Sequence, residues 1–122
     1  MAMAALDTVQ KFVTRARALM QDATEPYRYS DEDLVEAMNL GVLEMRRLRM
    51  DIFLSEIRTG TGLPEYSSSS LSDSVTIDEQ YRMALLYYIC GHTQMRDEED
   101  TQDSRAAVFL NKFTAQMLTI QA

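Results

Sequence analysis

The sequence predicts an all-α protein: a four-helix bundle with one long extended loop between its second and third helices. Three observations carry this. Four segments place apolar residues at the i, i+3, i+4, i+7 spacing of a single buried helix face. Most of these segments open on a residue whose side chain accepts from the free N–H groups of a first turn. Breakers separate them: Pro26, the turn cluster from Thr59 to Pro64, and the acidic run Asp97-Glu98-Glu99-Asp100. At 122 residues the chain is one domain, 1–122, large enough to bury one core, with 59–76 expected to form a projecting loop or a short strand.

The first helix is expected from Asp7 to about Asp22. Asp7 is read as its cap and Gln10 as the reciprocal capping-box residue, with Val9, Phe12, Val13, Ala16, Leu19 and Met20 as the buried stripe. Lys11, Arg15 and Arg17 fall off that stripe and read as a solvated face. Pro26 biases Glu25 away from helical geometry and ends the connection's freedom to continue as helix.

The second helix is the best specified. Ser30 caps it, Asp31, Glu32 and Asp33 meet the positive end of its dipole, and Tyr29 and Leu34 occupy the positions of a hydrophobic staple. Leu34, Val35, Met38, Val42, Met45 and Ile52 form its stripe. Arg46, Arg47 and Arg49 suit the negative end, and the helix is expected to stop between Asp51 and Arg58.

After Thr59 the character changes. Two glycines, Pro64 and the four serines Ser67 to Ser70 do not sustain a helix, and Leu71, Val75 and Ile77 suggest alternation in an extended segment. A helix-free connection of this length is uncommon in a compact domain unless it has a function. Thr76-Ile77-Asp78-Glu79 reads as a capping box for the third helix, whose stripe is Tyr81, Ala84, Leu85, Tyr88, His92 and Met95, widened by Leu86, Ile89 and Cys90. So broad an apolar surface marks the central helix of a bundle, and Gly91 within it suggests the close approach of a neighbour. Ala106, Phe109, Leu110, Phe113, Met117 and Ile120 give the fourth helix its face.

Several function classes are disfavoured. Hydrophobic residues at 46% and charged residues at 25% match an ordinary soluble protein, and no apolar run approaches the roughly 20 residues of a membrane span. Met1 to Leu6 lacks the basic region and long apolar core of a secretory signal, so a cytosolic compartment is expected. One cysteine leaves no intramolecular disulfide. The net charge of −7 argues against wrapping nucleic acid in a basic groove. Nine methionines suit a core or a surface that adapts to its partner.

No catalytic set, metal site or cofactor motif is found. His92 is the only histidine and lies on an apolar stripe, and Cys90, two residues away, points elsewhere on a helix. Gly60-Thr61-Gly62 lacks the Lys-Ser/Thr ending of a phosphate loop, and the acidic run lacks calcium-loop spacing. The arginines sit at a helix C-terminus, not at the N-terminal end that DNA-reading helices present. The chain is expected not to be an enzyme.

Residues Arg28-Tyr29-Ser30-Asp31-Glu32-Asp33-Leu34-Val35-Glu36-Ala37-Met38-Asn39, continuing through Glu44 to Arg49 and Asp51 to Leu54, resemble the second helix of phage head–tail adaptor proteins, also called connector or head-completion proteins. Ile77 to Tyr88 is similar to that family's third helix, and Arg96 to Glu99, Arg105 to Ala107 and Phe113 to its turn and last helix. The resemblance spans Asp7 to about Leu118; its motifs are mostly caps and core positions, and it departs at Met50, where proline is common. It implies a structural virion protein, made in the host bacterial cytoplasm. Such a subunit forms a ring, expected at twelve copies, that joins the portal protein to the next tail component. The ring extends the DNA channel used in ejection, and DNA passes through without specific binding. An acidic wall repels phosphate and suits that passage. Subunit or partner contacts are expected at Arg46, Arg47 and Arg49 and along the loop at Leu63, Pro64, Tyr66, Leu71 and Val75, with no cofactor and no membrane. The competing readings are a small cellular helical interaction module and a DNA-binding regulator using the arginines.

Overall fold

The computed structural model describes residues 6–22, 24, 26–60, 62–96 and 103–119. It is all-helical: α1 (Val9–Leu19), α2 (Asp31–Leu48), a short α3 (Leu54–Thr59) entered through the 3-10 turn Met50–Phe53, α4 (Glu79–Arg96) and α5 (Asp103–Thr119). The four longer helices make the bundle. α4 packs against α1, α2 and α5, and is the central helix that its broad apolar surface implies. Tyr81, Ala84, Leu85, Leu86, Ile89 and Cys90 are all buried.

Two glycines set the spacing around α4. A Cβ on Gly91 would lie 2.7 Å from Leu110 and 3.1 Å from the Ala106 carbonyl on α5. One on Gly41 would lie 2.5 Å from Leu85 of α4. The helices therefore meet at distances that a methyl group would forbid. Met95 departs from the expected stripe: it is 55% exposed, on the open side of α4, while its neighbours Thr93 and Gln94 are buried.

α1 starts later and ends earlier than expected. Its cap is Thr8, not Asp7, with Thr8 Oγ1 accepting from Lys11 N–H at 3.3 Å, while Asp7 pairs with Lys11 at 2.8 Å. Gln10 bonds Thr14 instead of closing a capping box. At the other end, Asp22 N–H donates to Arg17 O (2.8 Å) and Gln21 N–H to Ala18 O (3.3 Å), with Gln21 in the left-handed region at φ +61°. That is a Schellman motif built without glycine, and it ends the helix at Leu19.

The motif explains the largest departure from expectation. Arg17 is buried, not solvated. With α1 stopped, the chain turns back across the Arg17 guanidinium, which donates to Asp22 (2.9 Å), to the Tyr29 carbonyl (2.7 Å) and to Asp31 (2.6 Å). Tyr27 lies 3.9 Å over its carbon. Asp22 in turn accepts from the backbone N–H groups of Arg28 (2.7 Å) and Tyr29 (3.1 Å). One arginine thus sets the path from α1 to the Ser30 cap of α2, where Ser30 accepts from Asp33 N–H at 3.1 Å. Tyr29 and Leu34 are both buried at that corner.

α2 ends at Leu48, before the expected window, and without the proline that the resemblance places after Arg49. Arg49 leaves helical geometry (φ −143°, ψ 78°) and turns inward, donating to both Asp51 oxygens, to the Met117 carbonyl (2.8 Å) and toward Tyr81 Oη (3.4 Å). α4 begins at Glu79, two residues inside the expected capping box, because Arg82 donates to the Ile77 and Val75 carbonyls and keeps 75–77 extended. The acidic run at 97–100 and Ile120 lie outside the described residues.

The later part of the loop lies against the bundle. Val75 and Ile77 are buried, with Ser74 and Thr76 pointing out, which is the expected alternation. Its extended part pairs with the chain's own N-terminal segment through the antiparallel bridge Thr8–Ser74. The Asp73 and Leu71 carbonyls accept from Val9 N–H (3.1 Å) and Gln10 N–H (2.8 Å), two of the donors that the first turn of α1 leaves free. Val75 N–H donates to Asp7 O at 2.9 Å. The loop is pinned because it caps α1 and carries apolar side chains of its own into the core.

Candidate partner-binding groove

The other half of the loop is built on a single side chain of α2. Gly60 (φ +76°) and Gly62 (φ +80°) turn the chain after α3 through geometry that favours glycine. The loop then runs past Asn39. Asn39 Nδ2 donates to the Tyr66 carbonyl and Tyr66 N–H donates to Asn39 Oδ1, each at 2.9 Å. The carboxamide stands in for the backbone of a pairing strand and holds Tyr66 in register. The Tyr66 ring is buried beneath.

Between this clamped half and the half paired to α1 lies an open groove of about 460 Å³. Leu63, Pro64 and Tyr66 form its apolar part, and Glu56 of α3, Glu65 and Asp73 supply three carboxylates. Among the described residues none of these three is in an ion pair. Burial pushes the Tyr66 hydroxyl above its ordinary pKa, against the opposing pull of Thr76 and Arg82, and Glu56 adds to the rise. Thr76 sits near that hydroxyl without completing a hydrogen bond. The groove is therefore partly apolar and edged by carboxylates that are in no ion pair among the described residues.

The eight residues expected to make contacts fall into three groups. Leu63, Pro64 and Tyr66 come together in the groove. Val75 is core and Leu71 packs against the core, so both face inward. The arginines divide. Arg49 is engaged within the fold, and its hydrogen bond holds the Asp51 carboxyl below the usual carboxylate range. Arg46 and Arg47 are exposed on the last turn of α2, Arg47 beside Glu44. Leu43, one turn before them, and Met50, in the turn that follows α2, are 52% and 55% exposed.

Sequence reasoning overlooked Asn39, Glu56, Glu65 and Asp73. Asn39 carried a usable signal, since asparagine is a weak helix former and sits inside an otherwise strong helix. The three acids carried none: they are 17 residues apart at the extremes and meet only because the loop folds back.

The remaining reactive side chains are packing groups. His92 stacks on Tyr88 with centroids 5.5 Å apart, and the buried Cys90 thiol points at the Ala16 carbonyl at 3.8 Å. Among the described residues no three His, Cys, Asp or Glu side chains are grouped to hold a metal ion, and no helix is long and apolar enough to cross a membrane. Compared with known proteins, the chain matches no family model, no curated protein and no solved structure.

Proposed function

We propose that this chain is a head–tail adaptor: a structural virion subunit that forms a ring on the portal and passes DNA to the tail. The observation that carries the reading is the residue-level resemblance of 28–39 and 77–88 to that family. Those blocks are the Ser30-capped first half of α2 and the first turns of α4 with the two residues before it. The all-helical bundle is what the resemblance implies. Asn39, part of the first block, is the residue that clamps the loop. Its place in the fold gives a physical reason for that residue type at that position.

Charge supports the same reading. At −7 per copy, a ring presents phosphate with a repelling wall, so a DNA molecule slides without sticking. The test is genetic. Silencing the gene in a virus that encodes it is expected to leave DNA-filled heads that carry no tails. Normal tailed particles made without the protein would overturn the reading.

A further inference from the structure

We propose that the groove of one copy receives the Arg46 end of α2 from a second copy, so that subunits join head to tail. This deepens the adaptor reading and rests on it.

The groove sets the chemistry of its occupant. Glu56, Glu65 and Asp73 are in no ion pair among the described residues, and Leu63 and Pro64 offer apolar surface beside them. A long cationic side chain fits both, its stem on the apolar surface and its head at the carboxylates. Copies carrying −7 repel one another, so self-association needs such a local match of opposite charge.

Among the described residues few cations are free to supply it. Lys11 pairs with Asp7, Arg47 with Glu44 and Arg49 with Asp51. Arg17 is buried in its own network, and Arg82 bonds the 75–77 carbonyls. Of the exposed arginines outside these pairs, Arg58 shares α3 with Glu56 and so belongs to the groove's own side. Arg15 rises among the exposed polar neighbours Lys11 and Thr14. Lys112 lies over the Tyr87 ring, whereas Arg46 is exposed, in no ion pair among the described residues, and one helical turn from the exposed Leu43. An exposed arginine beside an exposed leucine is the complement of a carboxylate-edged apolar groove. The two surfaces are different parts of one chain, so their pairing is heterologous and repeats from copy to copy until the ring closes.

The test is charge reversal, with the copies bound per portal ring counted by native mass measurement and electron microscopy. One variant is Arg46→Glu with Arg47→Glu, a second is Glu56→Lys with Glu65→Lys, and a third combines all four. All four positions are at the surface, so melting temperatures are expected to match the parent. The parent is expected to complete a ring, each two-site variant to stall short of closure with at least tenfold weaker binding between copies, and the combined variant to regain the ring. If either two-site variant closes a ring as readily as the parent, the pairing is wrong and the adaptor reading stands. If neither two-site variant closes and the combined one also fails, charge pairing between these surfaces is likewise refuted. If the parent forms no ring with portal present, the adaptor reading itself fails and the pairing goes with it.

Discussion

Replacing Arg17 by methionine keeps the length of the side chain and removes its charge and all three of its donated hydrogen bonds. The loss leaves Asp22 buried without its cation and the Tyr29 carbonyl without its donor. Removing one member of a buried ion pair costs roughly 3–5 kcal/mol. Asp22 keeps two backbone N–H donors and half-exposed Asp31 takes up water, which places the cost near the lower end, about 3 kcal/mol. For a domain of this size that lowers the melting temperature by roughly 10 °C. The assay is thermal unfolding followed by circular dichroism, with Arg15→Met as the surface control, expected within about 0.5 kcal/mol of the parent. A high-salt repeat sharpens it, since salt screens a surface pair and leaves a buried one largely intact. If Arg17→Met melts within about 2 °C of the parent, the buried network does not organise the α1–α2 connection and that account is refuted.

Asn39→Ala removes both hydrogen bonds to the Tyr66 backbone, so a loss of about 2 kcal/mol and faster amide exchange at Tyr66 are expected; unchanged exchange would show that the clamp is not what holds the loop. Gln21→Gly relieves left-handed strain of about 1–2 kcal/mol against an entropy cost of about 0.5–1, so a modest rise in melting temperature is expected, and a fall would contradict the Schellman assignment. Above about pH 10 the unfolded chain loses the Tyr66 proton while burial keeps the folded one neutral, so the folded state binds more protons and stability falls as pH rises. Tyr66→Phe is expected to reduce that alkaline loss, leaving a share from Tyr88, which burial also shifts upward; an identical pH profile would place Tyr66 in contact with solvent.

The helices were legible because their signals are local. The Ser30 cap, the three acids behind it and the apolar stripes of α2 and α4 all lie within a few turns of what they specify. Arg17 was misread for the opposite reason. Its position off the α1 stripe is correct, but its burial comes from Asp22, Tyr27, Tyr29 and Asp31 closing over it after a turn that no glycine announces. The loop's extended alternation was legible, but its partners were hidden for the same reason. Gly60, Gly62, Pro64 and the serines do prevent helix, yet nothing near them in sequence shows that 71–75 caps α1 or that Asn39 holds Tyr66. Of the groove, Leu63, Pro64 and Tyr66 were legible as loop apolar residues, whereas its acidic edge forms only in three dimensions.

The most direct test of the adaptor account is the mass of the assembly that the purified chain forms with the portal protein of the same virus. The account expects a closed ring seated on the portal, with a fixed number of copies near twelve and a channel through its centre. A chain that stays monomeric beside the portal at high concentration, or that binds it in scattered single copies without closing a ring, would contradict it.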